Sequence, residues 1–425
     1  MKATELIQKL KDGALARYGE IYADPDDAAA RFIGAIEEFC RLYGSDRDLS
    51  LFSVPGRSEI SGNHTDHNHG CVLAGAIDRD IIAVAARNED GVVRVRSEGY
   101  NEDAVDLSQC GDKKNYRPFC SRALVAGVCG GFLRADYRVG GFDAYTTTRV
   151  LKGSGLSSSA AFEVMVGNML NHFYNDGKVK NEEIAKIAQY AENEYFGKPS
   201  GLMDQMACAV GGFVKIDFAD PQSPVIEPLS FSLRDAGYVL CIVNTGGNHA
   251  DLNADYASVP AEMKAVASYF GQPVLRGITT AQILQNAAVL RRATSDRAIL
   301  RALHYIAENK RVEEQAQALR TGDVSAFLRG VLASGNSSFK FLQNVYTTAN
   351  PKEQGLSLAL AVTETLLDGR DCAWRVHGGG FAGTIQAFVR REYTAEYVSV
   401  MNSIFGEGAV MILNIRPAGA IRIDL

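Results

Sequence analysis

Between residues 153 and 161 the chain reads Gly153-Ser154-Gly155-Leu156-Ser157-Ser158-Ser159-Ala160-Ala161, and it then enters an apolar helical period through Phe162, Val164, Met165, Met169 and Leu170. A glycine- and serine-rich turn that opens straight into an apolar helix is a strong constraint. The first N–H groups of a helix have no intrahelical partner and lie at the positive end of its dipole, and glycine lets them approach an anion closely. Three consecutive serine hydroxyls add donors for phosphate oxygens and ligands for Mg²⁺. A turn that merely caps a helix has the same composition, so the loop alone leaves both readings open. The pattern G-x-x-x-x-G-K-[ST] is absent, as are the H-R-D and D-F-G motifs of protein kinases. A nucleotide held here is therefore held in another fold.

A chain of 425 residues exceeds what one core usually organises, which predicts two domains or a bilobal unit with a cleft. Its formal net charge of -6 comes without a long basic block, so no footprint for a nucleic-acid backbone is expected. The eight cysteines include no C-x-x-C pair, and several sit in apolar runs such as Val239 to Val243. They read as reduced, mostly buried thiols of a cytoplasmic protein. The first residues lack the basic and apolar regions of a signal peptide, and no apolar run reaches the roughly 20 residues that span a bilayer.

Residues 1–50 predict two amphipathic helices, the second started by Asp24-Pro25-Asp26-Asp27. Short apolar runs broken by glycine then predict strands at 51–54, 71–74, 81–86 and 92–95. Helical periods cover about 121–133, 158–174 and 182–196, a further strand set falls at 212–217 and 238–243, and residues 259–333 are almost wholly helical. A helix at 353–367 and strands near 373–377, 384–389, 410–415 and 420–424 complete an α+β layout. The proline-bearing stretch 217–228 sets the expected boundary between domains 1–218 and 219–425.

Two polar segments carry the remaining chemistry. In Ser53 to Gly70, Arg57, Asn63, His64 and Asp66 supply the paired donors and acceptors that the hydroxyls of a small polar ligand need, and a sugar fits. His64, Asp66, His67 and His69 also raise a metal-dependent hydrolase, with only His172, His249, His304 and His377 left to complete a site. His67 and His69 otherwise read as a solvated turn. In Glu192 to Ala207, Asp204 precedes apolar Met206, Ala207, Ala209 and Val210, so it either caps a helix or is partly buried beside a partner such as Arg57.

Taken together, these segments resemble the GHMP kinases, and among them the galactokinase family. That family's P-G-R-V-N-L-I-G-E-H-T-D-Y-N is similar to Pro55 to Asn68, its G-x-G-L-S-S-S-A to Gly153 to Ala160, its G-I-M-D-Q-F to Gly201 to Met206, and its T-G-A-G-F-G-G to His377 to Gly383. The resemblance runs from about residue 50 to 390, with Pro417 to Ala420 also similar to the family's end. It implies an α+β two-domain fold: an N-terminal mixed sheet with helices, a C-terminal domain of helices and antiparallel sheet, and a site in the cleft between them. It implies transfer of the γ-phosphoryl group of ATP, with Mg²⁺, to the anomeric hydroxyl of galactose. Asp204 would then be the base and Arg57 its partner, chemistry suited to a reaction governed by alignment and charge neutralisation. Asn63, His64, Asp66, Gly201 and Tyr256 would meet the sugar. Gly153, Ser154, Gly155, Leu156, Ser157, Ser158 and Ser159 would surround the ATP phosphates, with Ser158, Ser159 and Glu192 as Mg²⁺ ligands.

The chain departs from the pattern where the family's Asn is Glu59 and its Glu is Asn63, which bears on the identity of the sugar. Two further readings follow: a kinase of a related hexose, N-acetylhexosamine or uronic acid, and a non-catalytic sugar- and ATP-binding regulator. Monomer and homodimer are both compatible with the sequence.

Overall fold

Asp24 accepts hydrogen bonds from the backbone N–H groups of Asp26 and Asp27, and Pro25 takes the first helical position, so the helix Pro25–Tyr43 begins where local chemistry sets it. Its apolar stripe of Phe32, Ile36 and Phe39 is fully buried together with Leu6 and Leu10 of the helix Ala3–Lys11 and with Ile82 and Val84 of the underlying strand. Burying each of these large side chains contributes about 1.5–3 kcal/mol, so the first 50 residues are an integral layer of their unit. The computed structural model describes every residue except 151–154 and 248–251.

The chain divides into two compact units, and neither is continuous in sequence: residues 1–57, 76–212 and 416–425 form one, and residues 58–75 and 213–415 the other. The expected single crossing near residue 218 therefore differs from the observed path. The strands Ser50–Ser61 and Cys71–Arg87 each run from one unit into the other.

In the first unit the strand order is Ile421–Ile423, Ser50–Ser61, Cys71–Arg87, Phe142–Thr148, Val92–Ser97, Glu102–Asp106. The pairing of Val92–Ser97 with Phe142–Thr148 is parallel and that of Cys71–Arg87 with Phe142–Thr148 antiparallel, so the sheet is mixed. Leu51 pairs with Ile423, which ties the end of the chain to its first strand. The helices Ser121–Arg134, Ser158–Tyr174, Asn181–Tyr190 and Met203–Val210 pack on one another within this unit.

The second unit holds a four-stranded antiparallel sheet in the order Val410–Leu413, Tyr238–Asn244, Thr384–Arg390, Ala373–Val376. Its helices include Asn253–Tyr269, Asp296–Thr321, Val324–Ser337, Gly355–Leu367 and Arg391–Phe405. The proline-bearing stretch is not structureless: Val225–Leu229 pairs with Phe213–Asp217 as an outer strand, where Pro228 is tolerated. Among the described residues no helix is long and apolar enough to cross a membrane.

Candidate active site

In the first unit Arg57 and Asp204 meet across 147 positions of chain. Arg57 Nε donates to Asp204 Oδ1 at 2.7 Å and Nη2 to Oδ2 at 2.8 Å, the two-pronged geometry that suits guanidinium to carboxylate. Arg57 Nη1 also donates to the carbonyl of Gly155, and Ser157 Oγ donates to Asp204 Oδ2. Gly56 permits this approach, because a Cβ there would lie 2.8 Å from the Leu156 carbonyl oxygen. The backbone N–H of Arg57 bonds that same oxygen at 3.1 Å. Carboxylate, guanidinium and serine turn are thus one assembly.

Asp204 stands in the first turn of Met203–Val210, where the dipole favours a negative charge, and it does not cap that helix. Burial works to raise its pKa, but the Arg57 charge and the bonds from Arg57 and Ser157 outweigh it, so the carboxyl titrates below its ordinary range. Ser157 has φ 59°, a left-handed conformation uncommon for serine, immediately before the helix Ser158–Tyr174. Among the described residues no side chain caps that helix, whose first N–H groups have no intrahelical partner. Gly153 and Ser154 lie outside the described residues, and Gly201 is exposed.

Glu192 lies in a π-helical turn, Ala191–Phe196, and is 2% exposed. Its Oε1 accepts from Ser159 Oγ at 3.2 Å and Lys198 Nζ at 2.8 Å, and its Oε2 from Ser200 Oγ at 2.6 Å and Gln205 Nε2 at 2.8 Å. One carboxylate beside a serine hydroxyl fits Mg²⁺, which binds through one or two carboxylates and takes its remaining ligands from phosphate and water. Glu163 is fully buried nearby and also receives a bond from Gln205. Burial first, and then the charge of Glu192, pushes its carboxyl well above the usual range. Sequence reasoning passed over Lys198, Gln205 and Glu163, although Glu163 is the single acidic residue in the helix Ser158–Tyr174.

In the second unit three consecutive glycine carbonyls are each bound by a residue of the sequence-predicted sugar set. Asn63 Nδ2 donates to Gly378 O at 2.8 Å, His64 Nε2 to Gly379 O at 2.9 Å, and the Tyr256 hydroxyl to Gly380 O at 2.9 Å. A Cβ on Gly379 would lie 2.7 Å from the Tyr256 ring, and one on Gly380, where φ is 80°, 2.0 Å from the Asn344 carbonyl oxygen. A carbonyl can only accept, so His64 carries its proton on Nε2 and keeps Nδ1 as an acceptor. Burial is the main cause that pushes its pKa down to about 4, which keeps the ring neutral.

Asn63 is fully buried. Its Nδ2 also donates to Glu59 at 2.8 Å, and its Oδ1 accepts from Asn344 at 2.7 Å and Ser338 at 3.3 Å. Glu59 in turn lies 3.3 Å from the guanidinium of buried Arg375. Behind the signature, Glu308 accepts from Ser61 Oγ, the Gly62 N–H, Ser334 and Arg311, fastening this turn to Asp296–Thr321. Asp66 is half-buried and faces exposed His67. The hydrolase alternative loses candidate ligands here, because both ring nitrogens of His304 bond Ser337 and the Asn63 carbonyl, and those of His377 bond Thr384 and Ser58. His249 lies outside the described residues.

The GHMP kinase N-terminal domain matches residues 123–212, and the galactokinase galactose-binding signature matches residues 37–87. The structure of Lactococcus lactis galactokinase complexed with galactose aligns with a TM-score of 0.75 at 23% identity, over 91% of this chain and 98% of that one. Methanococcus jannaschii mevalonate kinase aligns at 0.60 with 15% identity, over 86% and 98%. The fold is that of the GHMP kinases, small-molecule phosphotransferases. Galactokinase of Streptomyces coelicolor is 31% identical over 363 residues, 84% of this chain and 88% of that protein. A galactokinase of Actinobacillus pleuropneumoniae is 31% identical over 84% of this chain and 89% of its own. The chain belongs to the galactokinase family and is a sugar kinase.

Proposed function

We propose that this chain transfers the γ-phosphoryl group of ATP to the anomeric hydroxyl of galactose, with Asp204 and Arg57 as the catalytic pair. The observation that carries this reading is the assembly of Arg57, Asp204 and Ser157 on the glycine-serine turn. An ionised Asp204 is ready to accept the proton of the acceptor hydroxyl or to orient it, and the guanidinium balances charge that develops in transfer. Gly155, Leu156, Ser157, Ser158 and Ser159, with Gly153 and Ser154, would line the phosphates, the backbone N–H groups acting as fixed donors. Glu192 with Ser158 or Ser159 would hold Mg²⁺, whose chemistry is to neutralise phosphate charge. Neutral His64, with Asp66, Tyr256 and the Gly201 backbone, would bind sugar hydroxyls.

Asn63 reaches a sugar only by exchanging one of its present partners. That arrangement supports a second acceptor class, a related hexose, because the acidic group has moved to Glu59, where it faces Arg375. A sugar panel with MgATP and coupled ADP detection tests both readings. Turnover with galactose above all other sugars is expected; ATP and sugar binding without turnover would convert the reading to a regulator. The reduced-thiol reading of the cysteines supports a cytoplasmic location.

A further inference from the structure

We propose that Gln205 is a positioning residue that fixes the carboxylate of Glu192 for its metal, with Glu163 as its anchor. The inference rests on the assignment of Glu192 as a metal ligand. Gln205 follows Asp204 on the helix Met203–Val210 and is fully buried. Its Nε2 donates to Glu192 Oε2 at 2.8 Å and to Glu163 Oε2 at 3.1 Å, so both hydrogens of one amide nitrogen are spent on carboxyl groups from two other elements. The amide plane cannot turn without losing both bonds.

Glu163 makes little sense as a stabilising residue. Among the described residues its Oε1 is buried without a hydrogen-bond partner, as is Gln205 Oε1, and buried polar atoms left unpaired cost stability. An apolar side chain of similar volume would serve the core as well or better. What Glu163 supplies is an acceptor that aims the Gln205 amide. Of the two Glu192 oxygens, Oε1 meets Ser159 and half-exposed Lys198, while Oε2 is held by Ser200 and Gln205. The clamp thus anchors one oxygen and leaves the other beside the serine turn. Groups that orient metal ligands in this way typically change metal affinity about 10- to 100-fold when removed.

The test is Mn²⁺ binding to the full chain saturated with AMPPNP, read by electron paramagnetic resonance, with AMPPNP affinity in EDTA measured alongside. Gln205→Met is expected to weaken Mn²⁺ about tenfold or more and to leave metal-free nucleotide affinity within about twofold. Glu163→Met, a second route should Gln205→Met fold poorly, is expected to weaken Mn²⁺ about threefold or more. Glu163→Gln keeps an acceptor oxygen and is expected to stay within about twofold of the parent. Loss of Mn²⁺ binding in Glu192→Ala with unchanged affinity in Gln205→Met would overturn this inference alone. Unchanged Mn²⁺ affinity in Glu192→Ala would overturn the ligand assignment and the inference with it.

Discussion

Replacing Asp204 by Asn isolates the charge of the proposed catalytic carboxylate with almost no change of shape. The carboxylate accepts two bonds from Arg57, at 2.7 and 2.8 Å, and a third from Ser157. Asn keeps one acceptor oxygen and turns an NH₂ group toward guanidinium hydrogens, so at least one charge-assisted bond becomes a donor facing a donor. Breaking a buried pair costs about 3–5 kcal/mol, and an exposed pair is worth about 0–1 kcal/mol. With 10% of the Arg57 side chain and 28% of the Asp204 side chain exposed, the expected loss lies between these limits, and we take about 2 kcal/mol. For a domain of 150–250 residues that lowers the unfolding midpoint by about 4–8 °C. Turnover should fall further in proportion, by about 10³-fold, the middle of the range for a lost general base. ATP affinity should stay within about threefold, since Asp204 is assigned to the acceptor hydroxyl. Calorimetry, steady-state kinetics and nucleotide titration on one preparation measure all three. Turnover within tenfold of the parent, or a midpoint that does not move, would refute the reasoning from the pair.

Arg57→Lys keeps the positive charge but gives up the fork, so kcat is expected to fall about 10- to 100-fold with a smaller loss of stability than Asp204→Asn; equal rates would show that planar pairing does not matter. For His64, a folded pKa of about 4 against an ordinary 6.5 means that the unfolded chain binds more protons between those values. Stability should therefore be full above about pH 6.5 and decline as pH falls toward 4, and thermal melts of His64→Asn should lose that slope. The lowered pKa of Asp204 contributes stability above its unfolded value, lost as pH falls through the lower folded value, so its acid limb in kcat/KM should lie below about pH 4. Asn63→Glu should shift preference toward galactose. The exchange Glu59→Asn with Asn63→Glu should do so at less cost in stability, because it avoids placing two acids in contact 2.8 Å apart. Unchanged relative activities across the sugar panel would separate Asn63 from sugar choice.

How much of this was legible in the chain depended on whether a residue's partner is local. The start of Pro25–Tyr43 and the entry into Ser158–Tyr174 are local events, and sequence chemistry alone placed them. Arg57 and Asp204 are far apart in sequence, yet each is hard to bury alone, and the ordered motifs that hold them point to their meeting. The path of the domains was not legible, because strands Ser50–Ser61 and Cys71–Arg87 change unit midway with no break in the strand or in its burial at the crossing. The helix Arg391–Phe405 also escaped notice: it buries only Tyr397 and Met401, too thin a stripe for periodicity to announce.

The polar clamps were hidden for a different reason. Glu59 is separated from Arg375 by 316 positions and Ser61 from Glu308 by 247, and nothing local distinguishes an acid that will be buried from one that will be solvated. The substitution of Asn for Glu at position 63 reads, in sequence, as a lost charge at the sugar. In the structure Glu59 keeps a carboxylate in contact with Asn63 and beside a buried guanidinium, while Asn63 supplies the hydrogen bond that holds Gly378. A charge moved inward in this way can preserve the scaffold of the glycine turn and still alter what its outer face accepts. Acceptor choice in this chain is therefore to be sought in the partnership of Glu59, Asn63 and Arg375 as a unit, and a single substitution at position 63 tests only half of it.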